Sequence, residues 1–211
     1  MAFSRGSADS SSVRRLTDTP AKEALLGLLA LRSARRGQFV LSSGRTSNLY
    51  VDARLTTMSP EGLVLIGSLG AAVLADRFGQ VDAVGGLTLG ADPIAYAIAY
   101  HSATSSHPIR AFTVRKEAKA HGTGQLVEGP FHKGDRVVVI EDVITTGASA
   151  LRAITALRAA GADLKGVLAL VDREEGGREV LEGEGLEVVS LTTATEILGR
   201  GPKQVDQTPA S

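Results

Sequence analysis

The 211-residue sequence contains no cysteine, no tryptophan and only four histidines. The lack of cysteine excludes disulfide bonds, thiolate nucleophiles and cysteine-ligated zinc, and it favours an intracellular location. Acidic and basic residues balance at 23 each, so the chain has no net field that would draw it to nucleic acid or to an anionic membrane. Any anion that it binds must therefore be held by local groups.

Long apolar segments are also missing. The apolar runs, such as residues 137–140, are far shorter than the roughly 20 residues that cross a bilayer. The N-terminal segment is polar and serine-rich and lacks the apolar core of a signal peptide. With 43% hydrophobic residues, the chain has enough apolar material for one well-packed domain. These features predict a soluble, cytoplasmic protein that binds neither membrane nor nucleic acid.

Strand-like and helix-like segments alternate between two polar ends. Residues 1–19 and 200–211 lack apolar periodicity and are predicted to be disordered tails around one domain, residues 20–199. A first helix is predicted from Pro20 to a stop at Gly37, followed by strands at residues 39–41 and 49–51 and a helix that begins after Ser59. Further strands are predicted at residues 83–86, 109–114, 136–140, 166–171 and 186–191, with helices at residues 91–102, 148–160 and 179–181. This alternation predicts an α/β fold with a mostly parallel central sheet flanked by helices.

The most informative segment, residues 137–149, reads VVVIEDVITTGAS. An apolar strand leads into two carboxylates, Glu141 and Asp142, and then into a strand-to-helix turn. We call this the phosphate turn, and its residues are Thr145, Thr146, Gly147, Ala148 and Ser149. Its backbone N–H groups and hydroxyls can converge on an anion, which the helix dipole favours, and Gly147 would allow close approach. The segment therefore predicts a phosphomonoester site.

The adjacent carboxylates restrict the kind of molecule that can carry this phosphate. Glu141 and Asp142 would repel a bare phosphate, so they are expected to face ribose hydroxyls, a metal ion or positive charge on a sugar ring. For an acidic pair considered in isolation, the alternative is that the carboxylates cap a helix and carry solvated charge. The sequence has no GxxxxGK[ST] motif and no complete GxGxxG motif, which disfavours P-loop and dinucleotide sites. Together these features predict a sugar-phosphate site.

A cluster of cations follows the strand at residues 109–114. It consists of Arg115, Lys116, Lys119 and His121, with Gly122 and Gly124 after it. A solvated basic loop is one interpretation. The other is a hinged lid whose charges stabilise a pyrophosphate leaving group as the glycosidic bond breaks.

Four co-linear segments resemble the type I phosphoribosyltransferases, and among them the orotate phosphoribosyltransferases. Residues 137–149 are similar to that family's phosphoribosyl pyrophosphate motif. FVLSSGRTSNLYVD at residues 39–52 is similar to its Phe-x-Leu-x-Ser-Gly-x-x-Ser-x-x-Tyr stretch. RKEAKAHG at residues 115–122 resembles its mobile catalytic loop, and VDREEG at residues 171–176 resembles its Asp-Arg-x-Glu turn.

The resemblance implies transfer of a 5-phosphoribosyl group from phosphoribosyl pyrophosphate to orotate, which gives orotidine 5′-phosphate and pyrophosphate. It also implies Mg²⁺ carried mainly by the donor, without a metal site built from protein ligands alone, and a homodimer with shared active sites. The residues implied to be catalytic are Glu141, Asp142, Lys119 and His121. The residues implied to bind the donor are these four with Arg115, Lys116 and the phosphate turn.

The resemblance places orotate beneath a small N-terminal hood of about residues 20–58. The residues implied to contact orotate are Ser43, Gly44, Tyr50, Thr145 and Arg173. Arg173 follows a strand, where its guanidinium can grip a planar carboxylate with two parallel hydrogen bonds, whereas a surface salt bridge with Glu174 or Glu175 is the alternative.

The sequence departs from the family pattern in two ways, by two missing lysines and by Glu141. Ser42 stands where the family often has lysine, and the segment that resembles the pyrophosphate loop has Leu87, Thr88 and Leu89 where some members have another lysine. Glu141 replaces a first aspartate, and its longer side chain can still reach a ribose hydroxyl. Three alternatives stay open from sequence: another purine or pyrimidine base as acceptor, a regulator that senses phosphoribosyl pyrophosphate while binding nucleic acid, and a phosphoacceptor receiver domain.

Overall fold

The computed structural model describes residues 19–40, 46–117 and 125–204. Its centre is a six-stranded sheet in the order β5-β4-β3-β6-β7-β8. The strands are β3 (Ala83–Leu87), β4 (Arg110–Val114), β5 (Val127–Glu128), β6 (Arg136–Ile144), β7 (Asp163–Asp172) and β8 (Glu187–Thr193). The neighbouring pairs are parallel except for β4 with β5. The predicted α/β fold with a mostly parallel sheet is therefore confirmed.

Helices cover both faces of this sheet. They are α1 (Pro20–Leu28), α2 (Arg54–Thr57), α3 (Pro60–Val73), α4 (Ala91–Ser102), α5 (Ala148–Ala159), α6 (Gly177–Glu182) and α7 (Ala194–Gly199). Successive residues of β6 point to opposite faces, and both sets are buried. Val138 and Ile140 pack with α1, α3 and α4, whereas Val137 and Val139 pack with α5 and α6. The continuous apolar run in β6 follows from this two-sided burial.

Side-chain caps define the first helix starts. Thr19 accepts a hydrogen bond from the Lys22 N–H at 3.3 Å, with Pro20 in the first turn of α1. Ser59 accepts one from the Gly62 N–H at 3.1 Å at the start of α3. These caps satisfy N–H groups that have no partner inside the helix, so both helix starts lie where the sequence predicts them.

A second sheet has the order β2-β1-β9, with β1 (Ala34–Val40), β2 (Thr46–Val51) and β9 (Lys203–Gln204). The predicted end of the first helix at Gly37 is wrong. The helix continues from α1 as a π-helical turn, Leu29–Ser33, and β1 begins directly after it. Residues 34–36 pair antiparallel with residues 49–51 of β2, and this pairing outweighs the local helix signal. β1, β2 and α1 lie within residues 20–58, the segment expected to form the hood.

The predicted C-terminal tail is partly ordered. Lys203 and Gln204 pair in parallel with Arg35 and Arg36 of β1, because β1 would otherwise present an open edge. Thr19, assigned to the N-terminal tail, instead caps α1. Residues 1–18 and 205–211 lie outside the described residues, so their disorder stays a prediction. No helix in the described part of the chain is both long and apolar enough to span a membrane.

The strand that carries the acidic pair is longer than predicted. β6 continues past Ile140 to Ile144, because Glu141 pairs with Ala169 of β7 and Ile144 pairs with Asp172. The acidic pair therefore lies within the last part of β6, and the phosphate turn begins directly after it. Rigid strand backbone, rather than a loop, positions the two carboxylates.

Candidate active site

A cleft of about 800 Å³ opens at the carboxyl edge of the central sheet. We call it the carboxyl-edge cleft. It is lined by the residues after β3, the end of β6, the phosphate turn, the start of α2 and parts of β1 and β2. In parallel α/β sheets this edge is where ligands bind, because loops from several strands converge there. Both the acidic pair and the phosphate turn border the cleft.

The two carboxylates of the acidic pair have different surroundings. Glu141 is only 7% exposed, whereas Asp142 is half-buried. Burial raises the pKa of Glu141 well above its usual range, and the neighbouring Asp142 raises it further. Asp142 Oδ1 accepts a hydrogen bond from the Val143 N–H at 2.9 Å. Asp142 is therefore the more accessible carboxylate of the pair.

The ionisation of Glu141 has an expected consequence for stability. Because its pKa is raised in the folded state, its ionisation destabilises the native state once the pH exceeds the ordinary value of 4.5. Wild type and Glu141→Gln should be closest in stability below that pH. The wild type should then lose stability relative to the variant as the pH rises through the raised pKa. Denaturant unfolding from about pH 4 to about pH 8 measures the difference.

Glu61→Gln is the control, because the pKa of Glu61 is shifted in the opposite direction to that of Glu141. Hydrogen bonding to Arg32 lowers the pKa of Glu61 to about 2, so its stabilising contribution is present above its ordinary pKa and is lost as the pH falls toward 2. The contribution is small because the pair is exposed. Glu61→Gln should not gain stability over wild type as the pH rises. A Glu141→Gln difference that stays constant with pH would contradict the burial argument.

The phosphate turn has the predicted strand-to-helix geometry. Thr145, Thr146 and Ser149 line the carboxyl-edge cleft, and α5 begins at Ala148. Thr146 Oγ1 accepts a 3.4 Å hydrogen bond from the Ala148 N–H. Ala148 is exposed and does not line the cleft. The hydroxyls of the turn are thus placed beside the N-terminus of a helix, as an anion site requires.

Gly147 allows the phosphate turn to pack closely against a helix. Its φ of +79° is the left-handed conformation that favours glycine. A Cβ at this position would lie 3.0 Å from the Gly177 carbonyl oxygen and 3.3 Å from Leu181 Cγ. The missing side chain therefore permits the turn to pack against α6, and the expectation that it also lets an anion approach closely stays a prediction.

Aromatic side chains form another part of the cleft wall. Phe39 of β1 and Tyr50 of β2 both line the cleft, with ring centroids 5.6 Å apart. Tyr50 is 45% exposed, so its ring can still be covered by a planar ligand. Ser43 and Gly44, predicted to contact the base, lie outside the described residues.

Arg173 follows β7 and is buried at the border of the cleft. Its Nη2 donates to Ser47 Oγ and to the Leu49 carbonyl oxygen, both at 2.6 Å, and to Glu175 Oε1 at 2.8 Å. Burial lowers the pKa of Arg173, and Glu175 opposes that shift. Arg173 Nε is buried and has no hydrogen-bond partner among the described residues. The guanidinium thus links the end of β7 to β2.

The predicted cations are distributed unevenly. Lys116 lines the carboxyl-edge cleft, whereas Arg115 donates to Glu128 Oε1 at 3.2 Å and lines a neighbouring cleft. Lys119 and His121 lie outside the described residues. Sequence reasoning did not single out Arg54, which lines the cleft and binds both carboxylate oxygens of Asp52 at 2.8 and 3.0 Å. The sequence feature that could have indicated Arg54 is the Asp-x-Arg spacing of residues 52–54, directly after β2.

The loop after β3 closes the cleft beside Asp142. Thr88, Leu89 and Gly90 line it, and the Thr88–Leu89 peptide bond is cis. We call this segment the 88–90 loop. It supplies no cation, so the positively charged side chains that line the described part of the cleft are Arg54, Lys116 and Arg173. The described residues contain no cluster of three or more acidic or histidine side chains that could hold a metal ion alone.

A parallel sheet with an acidic strand end and a hydroxyl-rich turn on one cleft defines a sugar-phosphate-binding α/β protein. No family model matches the chain. The chain is 52% identical over 169 residues to orotate phosphoribosyltransferase of Aquifex aeolicus, covering 80% of this chain and 91% of the relative. It also resembles the crystal structure of the Mycobacterium tuberculosis enzyme of that name in complex with Fe(III) dicitrate, with a TM-score of 0.74, 43% identity, and 84% and 99% of the two chains covered.

A second structure of the Mycobacterium tuberculosis enzyme was solved in complex with 5-phospho-α-D-ribosyl 1-diphosphate. It has a TM-score of 0.70 and 40% identity, and the match covers 84% of this chain and 99% of that one. The chain belongs to the orotate phosphoribosyltransferase family. The resemblance seen in the four sequence segments is therefore confirmed.

Proposed function

We propose that the chain transfers a 5-phosphoribosyl group from phosphoribosyl pyrophosphate to orotate. In this reaction the bond between ribose C1 and the pyrophosphate oxygen breaks, and its electron pair leaves with pyrophosphate. A ring nitrogen of orotate forms the new bond to C1 and releases its proton. The observation that carries the proposal is the placement of Asp142 and the phosphate turn on one cleft, in a chain of this family.

The cleft residues divide between the parts of the donor and the acceptor, orotate. The hydroxyls of Thr145, Thr146 and Ser149, with the start of α5, fit the 5′-phosphate. Asp142 and the deeper Glu141 fit the ribose hydroxyls, and the Asp142 carboxylate balances positive charge that develops on the ring as the bond breaks. Arg173, Phe39 and Tyr50 fit the carboxylate and plane of orotate, while Lys116, Lys119, His121 and Arg115 are proposed to meet pyrophosphate.

Mg²⁺ is proposed to arrive with the donor. The carboxylate oxygens of Asp142 and Glu141 are hard donors of the kind that this ion prefers, so the cleft fits a metal held mainly by phosphate and hydroxyl oxygens. When bound, the ion would offset the negative charge of the pyrophosphate group.

A homodimer is proposed as the catalytic unit. Leu89, Tyr96 and Tyr100 are 55%, 53% and 87% exposed, and the two tyrosines are one turn apart on α4. Exposed aromatic and aliphatic side chains beside a cleft are typical of an interface core. Some of the cations between Arg115 and His121, Lys119 among them, would then serve the neighbouring subunit's site. A cytoplasmic location is proposed as well, which the cysteine-free composition supports.

The direct test follows orotate absorbance after addition of phosphoribosyl pyrophosphate and Mg²⁺. Orotate should be consumed, with stoichiometric release of pyrophosphate, and uracil and adenine should react far more slowly. Uracil is the sharper control because it is orotate without the carboxylate that Arg173 is proposed to bind. Equal rates with another base would refute the choice of acceptor, and no consumption of any base would refute the transferase activity.

Thr145→Val tests the phosphate turn. The substitution removes one hydroxyl donor and keeps the side-chain shape and the backbone of the turn, so it should weaken the binding of orotidine 5′-phosphate by about 10-fold. Thr155→Val is a matched control, because Thr155 is exposed on α5 and donates only to the Leu151 carbonyl oxygen. Calorimetry with the nucleotide measures both. Unchanged affinity in Thr145→Val would show that the hydroxyl does not hold the phosphate.

A further inference from the structure

Asp92 is a buried carboxylate to which the proposed reaction gives no role. It is the second residue of α4 and is 8% exposed. Its Oδ2 accepts a hydrogen bond from Thr88 Oγ1 at 2.7 Å, and its Oδ1 accepts one from Thr113 Oγ1 at 2.9 Å. Both oxygens of the buried carboxyl group are thus satisfied by hydroxyls, an arrangement that holds the partner side chains firmly.

The partners of Asp92 join three elements. Thr88 lies in the 88–90 loop and Thr113 lies in β4, while the Tyr96 hydroxyl on α4 is 3.1 Å from Thr113 Oγ1. The backbone N–H of Thr88 also donates to the Val114 carbonyl oxygen at 2.8 Å. Asp92 therefore connects the 88–90 loop to the first turn of α4 and to the central sheet.

The 88–90 loop contacts the carboxylate that faces the donor. A Cβ built on Gly90 would lie 2.4 Å from Asp142 Oδ2 and 2.6 Å from Asp142 Oδ1. The Asp142 carboxylate thus packs directly against the Gly90 backbone. Any shift of the loop would crowd this carboxylate or remove its support, and small displacements at a reacting centre have large effects on rate.

We propose that Asp92 is a positioning residue that, through Thr88, holds the 88–90 loop against Asp142 and so maintains the donor site. The inference rests on the proposed function, which assigns Asp142 to the ribose of the donor. Asp92 does not line the carboxyl-edge cleft, and together with Thr88 it lines the neighbouring one. It therefore acts behind the site, and its effect should concern the donor rather than orotate.

Asp92→Asn is the test, with Asp135→Asn as a matched control. Asp135 is 9% exposed and accepts hydrogen bonds at 2.8 Å from Arg110 Nη2 and from the His132 N–H, next to the first residue of β6 and away from the carboxyl edge. Both substitutions remove the charge of a buried carboxylate without changing its size. Thermal unfolding records the loss of stability in each variant, and steady-state kinetics give kcat and separate KM values for orotate and phosphoribosyl pyrophosphate.

Asp92→Asn should lower kcat/KM for phosphoribosyl pyrophosphate by about 10-fold and change KM for orotate by less than about twofold. Asp135→Asn should lose stability while both KM values stay near those of wild type. An equal rise of KM for both substrates, an equal loss of kcat/KM for phosphoribosyl pyrophosphate in the two variants, or a folded Asp92→Asn with unchanged donor kinetics would each overturn the inference.

Thr113→Val provides a second test of the inference if Asp92→Asn does not fold. It removes one of the two hydroxyls that bind Asp92, with little change in volume, and should raise KM for phosphoribosyl pyrophosphate by about threefold. A folded Thr113→Val with unchanged donor KM would overturn the inference. Wild-type protein that consumes no orotate would instead refute the proposed function, so the two failures are distinguishable.

Discussion

Asp142→Asn is expected to lower turnover by more than about 10-fold while the chain stays folded. The half-buried carboxylate borders the cleft and has the Val143 N–H as a fixed partner. The amide has nearly the same shape, so the substitution removes the charge that balances the developing positive ribose without removing the side chain. Initial rates with orotate and phosphoribosyl pyrophosphate measure the loss, and circular dichroism confirms the fold.

Glu141→Gln is the matched control for that experiment. It changes the neighbouring residue by the same replacement of a carboxylate oxygen with an amide nitrogen. Because burial raises the pKa of Glu141, the wild-type side chain carries less of its negative charge than an ordinary glutamate at the same pH. Its loss of turnover should be smaller than that of Asp142→Asn. Turnover of Asp142→Asn close to wild type, or an equal loss in both variants, would contradict the assignment of the ribose charge to Asp142.

A mixture of two inactive variants is expected to recover activity if the active site is shared. Lys119→Ala removes a cation of the segment proposed to meet pyrophosphate, and Asp142→Asn removes the ribose carboxylate of the same chain. In a heterodimer of the two variants, one site collects both changes and the other site collects neither. Random exchange gives about half heterodimers, so the activity should approach about a quarter of the wild-type total.

Subunit exchange must be shown independently, by mass difference or by a fluorescent label on one variant. A mixture of Lys119→Ala with wild type is the control. Its chains also pair at random, but no active site in that mixture can combine two different substitutions. Activity no greater than the sum of the two parents, with exchange demonstrated, would show that Lys119 serves its own subunit or that the catalytic unit is not a dimer.

Local sequence signals specify much of the fold. The β-branched run of β6 and the Thr19–Pro20 and Ser59–Pro60 starts of α1 and α3 each lie within a few residues of the feature that they specify. The acidic pair and the phosphate turn are also predictable, because parallel topology brings the carboxyl ends of the parallel strands to one edge of the sheet. The same short segments carry the resemblance to the family, so membership can be inferred from local motifs alone.

Contacts between segments that are distant in the sequence determine the features of the fold and site that local signals do not specify. The helix that starts at Pro20 ends at Ser33 because β2 pairs with the residues that follow, and residues 203–204 form a strand because β1 offers an edge. The three bonds of Arg173 Nη2 include one to Ser47, 126 positions away. No local pattern contains such pairings.

The chain by itself therefore determined the alternation of the main strands and helices and placed the acidic pair and the hydroxyls of the phosphate turn at the cleft. Only the tertiary structure decided how those groups differ. Burial in the central sheet and the neighbouring Asp142 raise the pKa of Glu141 above that of an ordinary glutamate. Packing of the phosphate turn against α6 explains why residue 147 is glycine. The hydroxyls around Asp92 come from a loop and from another strand. Exposure, pKa and loop position depend on what surrounds a residue in space, and neighbours along the chain specify only a part of that environment.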